Sequence, residues 1–266
     1  MRVSNLYLKT NYLINAKFIK SVNIIEYDIS KANITTLFEA GVISEKEYRY
    51  LYCLPKIDRE IYIGNLIGKS TKNNSIYETI KRGIIEGKRK LFLQNKIQDS
   101  EIIRIANDAV YIMRPAPLIQ TKFGMIEFKP KNQYTTFARI GGLSIFFGYR
   151  MGDITLDVIG LGKEQILIHS DYMLTFIGNL FYLIETSDMN QIIDYYLGFY
   201  NQYLQKKLDI HYYRELNENS MFTVNAPRNN GKFGMMYTDD VNGIDITYNA
   251  GILRELYGII AGLNRN

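Results

Sequence analysis

The sequence predicts an α+β fold, because strand-like and helix-like segments fall in separate blocks along the chain. Three observations carry this reading. An apolar run, Val22 to Tyr27, ends at Asp28. Two strand-like runs flank Ala106-Asn107-Asp108. Beyond residue 165 the apolar spacing becomes helical. Regular alternation of strand and helix would point to a doubly wound parallel sheet, whereas segregated blocks point to an antiparallel one.

Taken in order, Val22-Asn23-Ile24-Ile25-Glu26-Tyr27 reads as a strand running into Asp28. Ser30 is expected to cap a helix over Lys31 to Ala40, which Gly41 ends. Ser44 with Glu47 three residues on has the capping-box pattern. Asn74 or Ser75 opens a longer helix with Ile76, Ile80, Ile84 and Leu91 at helical spacing, weakened by Gly83 and Gly87. The period then changes. Glu101 to Ile105 and Ala109 to Met113 read as a hairpin with Asp108 at its tip. Strands follow at Gly124 to Phe128, Tyr134 to Phe137, Leu143 to Tyr149 and Ile154 to Ile159. Helices follow at Asp171 to Glu185, Asn190 to Leu208 and Gly251 to Leu263. The stretch Gly64-Asn65-Leu66-Ile67-Gly68-Lys69-Ser70 has three residues between its glycines where a phosphate-binding P-loop has four, so it is set aside.

Composition bounds the function classes. With 266 residues, 47% of them hydrophobic, the chain can bury a substantial core. The formal net charge of +5 suits a polyanionic partner without establishing one. A single cysteine, Cys53, excludes an internal disulfide, and with two histidines it cannot build a standard zinc site. No apolar run is long enough to span a bilayer, and Met1 to Lys20 has no signal-peptide core, so a cytoplasmic location is expected. The 22 tyrosines, the absence of tryptophan and the many Asn, Ile and Lys suggest AT-rich coding DNA, as in a phage or low-GC bacterium.

The chemistry is expected at Asp28 and Asp108. If their strands are neighbours, the two carboxylates converge, and each disfavours ionisation of the other unless a cation intervenes. Magnesium is held by one or two carboxylates together with substrate phosphates. Two such ions can assist an attacking 3′-hydroxyl and a leaving pyrophosphate. Either aspartate alone is explained by helix capping or turn chemistry. The pair together carries the reading. Tyr195-Tyr196-Leu197-Gly198-Phe199-Tyr200 is read as helix packing, and His169 as a polar residue at a helix start.

The ordered motifs resemble those of family B DNA polymerases. Tyr27-Asp28-Ile29-Ser30-Lys31-Ala32-Asn33-Ile34 is similar to motif A, an Asp-x-x-Ser-Leu-Tyr-Pro-like segment. Lys72-Asn73-Asn74-Ser75-Ile76-Tyr77 is similar to motif B, Lys-x-x-x-Asn-Ser-x-Tyr-Gly. Ile105-Ala106-Asn107-Asp108-Ala109-Val110 is similar to the motif C hairpin. Phe123-Gly124-Met125-Ile126-Glu127 and Asp157-Val158-Ile159-Gly160 resemble the strands that come after it in that family, and the set covers roughly residues 22 to 160.

The resemblance implies an antiparallel-sheet polymerase-type palm with helices on one face, followed by a helical thumb-like region. The palm would occupy residues 1–165, with a short fingers-like insertion over about 41–97, and the thumb residues 166–266. It implies Asp28 and Asp108 as catalytic ligands of Mg2+ or Mn2+. Lys69, Lys72, Asn74, Tyr77 and Asn33 would line the nucleotide site, with Lys81 or Arg82 as further triphosphate contacts. Implied partners are a nucleic acid template and primer, nucleoside triphosphates, and other phage or host replication proteins, with no membrane.

The sequence also departs from the family. Asn107 stands beside Asp108, and the second motif C carboxylate would fall near Val110. Asn33 stands where the family has Tyr, Ser70 where it has Lys, and Glu78 where it has Gly. Asp28 and Asp108 are only 80 residues apart (108 − 28), too close for full fingers. These departures keep open a catalytically inactive relative that binds nucleic acid or serves as a phage structural or interaction protein.

Overall fold

The computed structural model describes residues 11–69, 73–150, 153–216 and 246–263. In chain order its elements are β1 (Tyr12–Leu13), β2 (Phe18–Ile19), β3 (Ile24–Ile29), α1 (Ala32–Glu39), α2 (Glu45–Cys53), α3 (Lys56–Lys69), α4 (Asn73–Gln94), β4 (Ile102–Ile105), β5 (Ala109–Met113), β6 (Lys122–Phe123), β7 (Ile126–Tyr134), β8 (Thr136–Ile140), β9 (Leu143–Arg150), β10 (Asp153–Ile159), α5 (Lys163–His169), α6 (Met173–Thr186), α7 (Met189–Leu204) and α8 (Thr247–Leu263). The fold is α+β, with two antiparallel sheets and a helical C-terminal region.

The chain divides into two compact units, one built on Val22–Gln133 with the residues up to Asn15, the other on Ala16–Ser21 with Tyr134 onward. The division falls near residue 134, ahead of the expected boundary near 165. The reason is side-chain burial. Ala138, Ile145 and Phe147 of β8 and β9 share one core with Phe181, Tyr196 and Leu256 of the later helices, so these strands fold with the C-terminal helices.

In the first unit the sheet order is β1-β4-β5-β3-β7-β6. Strand β3 alternates. Ile25, Tyr27 and Ile29 enter a core shared with Ile34, Leu37, Ile80 and Leu91 of the helices, which fixes one helix-covered face. Tyr27 completes its burial by accepting a 2.8 Å hydrogen bond from the Leu118 backbone N–H. Glu26 is on the other face of the strand and is only 3% exposed; Lys131 Nζ at 3.1 Å and Asn132 Nδ2 at 2.9 Å satisfy its carboxylate. Strand β7 runs antiparallel to β3: Ser30 N–H donates to the Glu127 carbonyl at one end, and Gln133 bonds Asn23 at the other.

Two local expectations differ in outcome. The Ser44–Glu47 capping box is present, with Ser44 N–H donating to Glu47 Oε2 at 2.8 Å. Ser44→Ala is expected to lower stability by about 1 kcal/mol, the usual worth of an N-cap, measured by urea unfolding. Ser30 does not cap α1. Lys31 takes that position in the left-handed region, φ 51°, with no side-chain cap. Its ammonium instead donates to the Tyr52 carbonyl and sits 3.3 Å above the Tyr52 ring centroid, so a contact with α2 offsets the backbone strain.

Gly83 and Gly87 cost helix propensity, yet they serve packing. A Cβ on Gly83 would meet Thr36 Cβ at 2.8 Å, and one on Gly87 would meet Ile126 Cγ2 at 3.1 Å. The first approach admits only glycine unless α1 or α4 moves.

In the second unit the sheet order is β10-β9-β8-β2. Phe147 and Phe181 lie with ring centroids 6.1 Å apart, and Phe176 stacks on Phe199 at 3.7 Å. The tyrosine-rich stretch packs as expected, with the buried Tyr196 hydroxyl donating to the Leu253 carbonyl at 2.7 Å. His169 differs from its expected place at a helix start. It ends α5 and is fully buried; burial, with the Arg214 charge nearby, holds its imidazole down at about 4 and so neutral.

Candidate functional site

The register of three strands brings the two aspartates together. In the β3–β5 pairing Asp28 lies opposite Ala109, and Tyr27 opposite Val110. In the β4–β5 hairpin Ile105 lies opposite Val110, and Ala106 N–H bonds the Ala109 carbonyl at 2.9 Å, so Asp108 sits in the tight turn. The Ile29 N–H donates to the Asp108 carbonyl at 2.9 Å, which ties the end of β3 to that turn. Both aspartates line one cavity of about 240 Å³. Asn33, at the first turn of α1, lines it as well.

Electrostatics at Asp28 reflect this convergence. Its carboxyl is pushed up from 3.8 to about 6, first by burial and then by the Asp108 charge; Lys131 opposes the shift, Glu26 adds to it, and the Ile29 backbone bond opposes it. Because the folded pKa is raised, the folded state holds the proton more tightly than the unfolded chain. Stability tied to this group is therefore full below about 3.8 and is lost as pH rises toward about 6. In the absence of divalent metal, the melting temperature of Asp28→Asn is expected to gain on that of the native chain as pH rises across this window. Mn2+ is expected to stabilise the native chain mainly above pH about 6. A thermal-shift series over pH, with and without Mn2+, checks both.

The rest of the lining is mixed in charge, with Glu60 of α3 beside basic residues. Lys56 and Arg59 of α3 and Lys31, just ahead of α1, line the cavity with the two aspartates. Lys56 also lies 3.7 Å from Glu60, and Arg59 Nη1 donates to the Leu54 carbonyl at 2.6 Å, an anchor that orients the guanidinium. Beneath the turn, Lys88 of α4 is 1% exposed, and its ammonium donates to the carbonyls of Ala106 and Asn107. Burial pulls it down to about 8, against the attraction of Asp108.

The other expected nucleotide contacts are placed differently. Tyr77 is on α4, 58% exposed, and is not among the residues lining this cavity; nor are Lys81 and Arg82. Lys72 and the side chains of Lys69 and Asn74 lie outside the described residues. The Gly64–Gly68 stretch is helical within α3, in keeping with its being set aside.

Sequence reasoning missed Lys56, Arg59 and Lys88. Pro55 ahead of Lys56 was a helix-start signal that would have put Lys56 and Arg59 on one face. Lys88 occupies the apolar stripe of Ile80, Ile84 and Leu91, four residues after Ile84, and a lysine at a core position is itself the signal.

The donor set suits a hard divalent cation in one respect: the Asp28 and Asp108 carboxylates line one cavity, together with Glu60, and Asp28 is disfavoured in its charged state. Among the described residues no group of three or more His, Cys, Asp or Glu is placed to hold a metal. A cation here would therefore complete its shell with water and substrate oxygens, as magnesium commonly does.

The profile of a family described as "Bacteriophage PBS1 gene 130 protein" matches residues 1–239. The chain belongs to this family. No curated protein matches the sequence. Of the two sources that the AT-rich coding signal suggests, a phage or a low-GC bacterium, membership in the PBS1 gene 130 family supports the phage. Among the described residues of this gene 130 family member, no helix is long and apolar enough to cross a membrane.

Proposed function

We propose that this protein carries out metal-dependent, template-directed nucleotidyl transfer, as a DNA polymerase or primase-polymerase-like enzyme, with Asp28 and Asp108 as ligands of Mg2+ or Mn2+. The observation that carries the reading is the convergence of these two carboxylates, 80 residues apart in the chain (108 − 28), on one small cavity also lined by Lys56, Arg59 and Glu60. The strand order β4-β5-β3-β7, with helices on one face, supports a palm of the split β-α-β kind.

In this reading the 3′-hydroxyl oxygen bonds the α-phosphorus of an incoming triphosphate as the bond to pyrophosphate breaks, and the hydroxyl proton passes to water. The bound cations supply charge neutralisation and alignment. Asp28 at the end of β3 and Asp108 in the β4–β5 turn would fix their place. Lys56 and Arg59 attract the triphosphate and stabilise the departing pyrophosphate, because such transfer depends mostly on positioning and charge. Asn33 borders the sugar side. The partners are a primed or single-stranded template and nucleoside triphosphates, in the cytoplasm of a phage-infected cell, alongside other phage or host replication proteins. Primer extension with Mg2+ or Mn2+ tests the reading, with deoxy- and ribonucleoside triphosphates compared. Incorporation that depends on both aspartates supports it; absence of incorporation under all these conditions overturns it.

One observation favours a second reading, a catalytically inactive relative that binds nucleic acid. Val110, where a second motif C carboxylate would fall, is fully buried and packs in the core with Tyr27. Template binding that survives Asp28→Ala and Asp108→Ala, with no incorporation by the native chain, would select it.

A further inference from the structure

We propose that Lys88 is the positioning residue of the carboxylate pair: its buried ammonium clamps the carbonyls of Ala106 and Asn107 and thereby holds Asp108 beside Asp28. This inference rests on the proposed reading of that pair as a cation site, and it adds a residue that never touches the cation or the substrate.

Three observations carry it. Lys88 is 1% exposed on α4, in the same stripe as the core residues Ile84 and Leu91, so its stem is fixed by packing. Its Nζ donates to two successive carbonyls, 2.5 Å to that of Asn107, and these belong to the two residues immediately before Asp108. No carboxylate lies within ion-pair distance of its nitrogen among the described residues, while the Asp108 charge acts on it from the turn. A buried ammonium held only by neutral carbonyls is an expensive way to fasten a helix to a hairpin, since an apolar side chain would pack there without desolvating a charge. The charge has a use here. It draws the carbonyl side of the turn onto α4 and leaves the Asp108 carboxylate facing the cavity. It also adds a positive potential behind the turn, which offsets repulsion between the carboxylates before a cation arrives. Groups that orient metal ligands in this way typically contribute about 10- to 100-fold in metal affinity.

The test compares Lys88→Met with the native chain, using Ile84→Val, one turn earlier on α4, as a control for loosened packing. Mn2+ alone is the probe, titrated by electron paramagnetic resonance, and primer extension gives kcat and KM. Lys88→Met is expected to weaken Mn2+ binding about 10- to 100-fold and to lower kcat with KM for the nucleotide little changed, while Ile84→Val keeps native affinity. Equal Mn2+ affinity in Lys88→Met and the native chain overturns the proposal, as does equal loss in both variants. A separate signature needs no substitution. Nitrogen-15 spectra of the native chain should show slowly exchanging Lys88 ammonium protons with a scalar coupling to the Asn107 carbonyl carbon; a freely exchanging ammonium overturns the clamp even if Lys88→Met does not fold. If the native chain binds no Mn2+, the cation-site reading fails by itself, and the ammonium signature still decides whether Lys88 holds the turn.

Discussion

Asp108→Ala is expected to abolish metal-dependent nucleotide incorporation, with a loss of about 1000-fold or more, and Asp28→Ala is expected to do the same. A bound cation contributes several kcal/mol of charge stabilisation in the transition state, and about 4 kcal/mol corresponds to roughly 1000-fold in rate. Each substitution removes one of the two proposed cation ligands from a cavity whose other acidic lining residue, Glu60, lies 3.7 Å from Lys56, so little residual activity should remain. The two losses should not add, because both substitutions remove the same bound species. The measurement is primer extension by each single variant and by the double variant, alongside circular dichroism. Asp108 lies in a turn and Asp28 is half-buried at a strand end, so both variants should keep a native far-ultraviolet spectrum. Incorporation at native rates by Asp108→Ala would remove the cation pair from the mechanism.

The largest stability effect is expected in the second unit. Phe181→Ala should cost about 3–5 kcal/mol, because truncating a buried aromatic forfeits its transfer free energy and leaves a cavity that close neighbours fill poorly. Phe181 is fully buried on α6 and faces Phe147 of β9 at 6.1 Å between centroids, so the loss opens a gap between a helix and its sheet. Urea unfolding followed by far-ultraviolet circular dichroism measures it; a change below about 1 kcal/mol would mean that this core relaxes far more than close-packed interiors do.

The legible parts of the fold are those in which one local rule acts alone. The Ser44–Glu47 capping box needs only residues in sequence contact, and it forms. The hairpin around Asp108 needs only two apolar runs and a turn, and it forms with strands at Ile102–Ile105 and Ala109–Met113. Helix α3 was illegible because Gly64 and Gly68 hide its periodicity; both are open to space on the outside of the helix, where glycine meets no steric demand. Strands β1 and β2 have two residues each, too short for any period to register. The division near residue 134 depends on which sheet face meets which helix, and no local pattern carries that information.

At the site, the aspartates were legible as a pair because each ends or caps a strand-borne turn. The cations were not. Lysines and arginines are mostly solvated, so proximity in sequence to a motif says little about which of them reach a cavity. Lys69 and Lys72 were favoured by their place beside Asn74, whereas Lys56 and Arg59 line the cavity through the path of α3. Lys31 carries a related lesson. Ser30 is the better capping residue by chemistry, but the contact of Lys31 with Tyr52 shifts the helix start by one residue, a tertiary term outweighing a local one.

The bare backbone at Gly83 acts as a gauge. Thr36 presses against it closely enough that the gap between α1 and α4 is set by main chain on one side, with no flexible side chain to take up error. Five residues further along α4, about 7.5 Å at the usual helical rise, Lys88 meets the turn that bears Asp108. Helix α1 begins just after Asp28, so a single interhelical spacing governs both acidic positions at once. A methyl group added at residue 83 would therefore be felt as a change in carboxylate separation, far from where it was introduced.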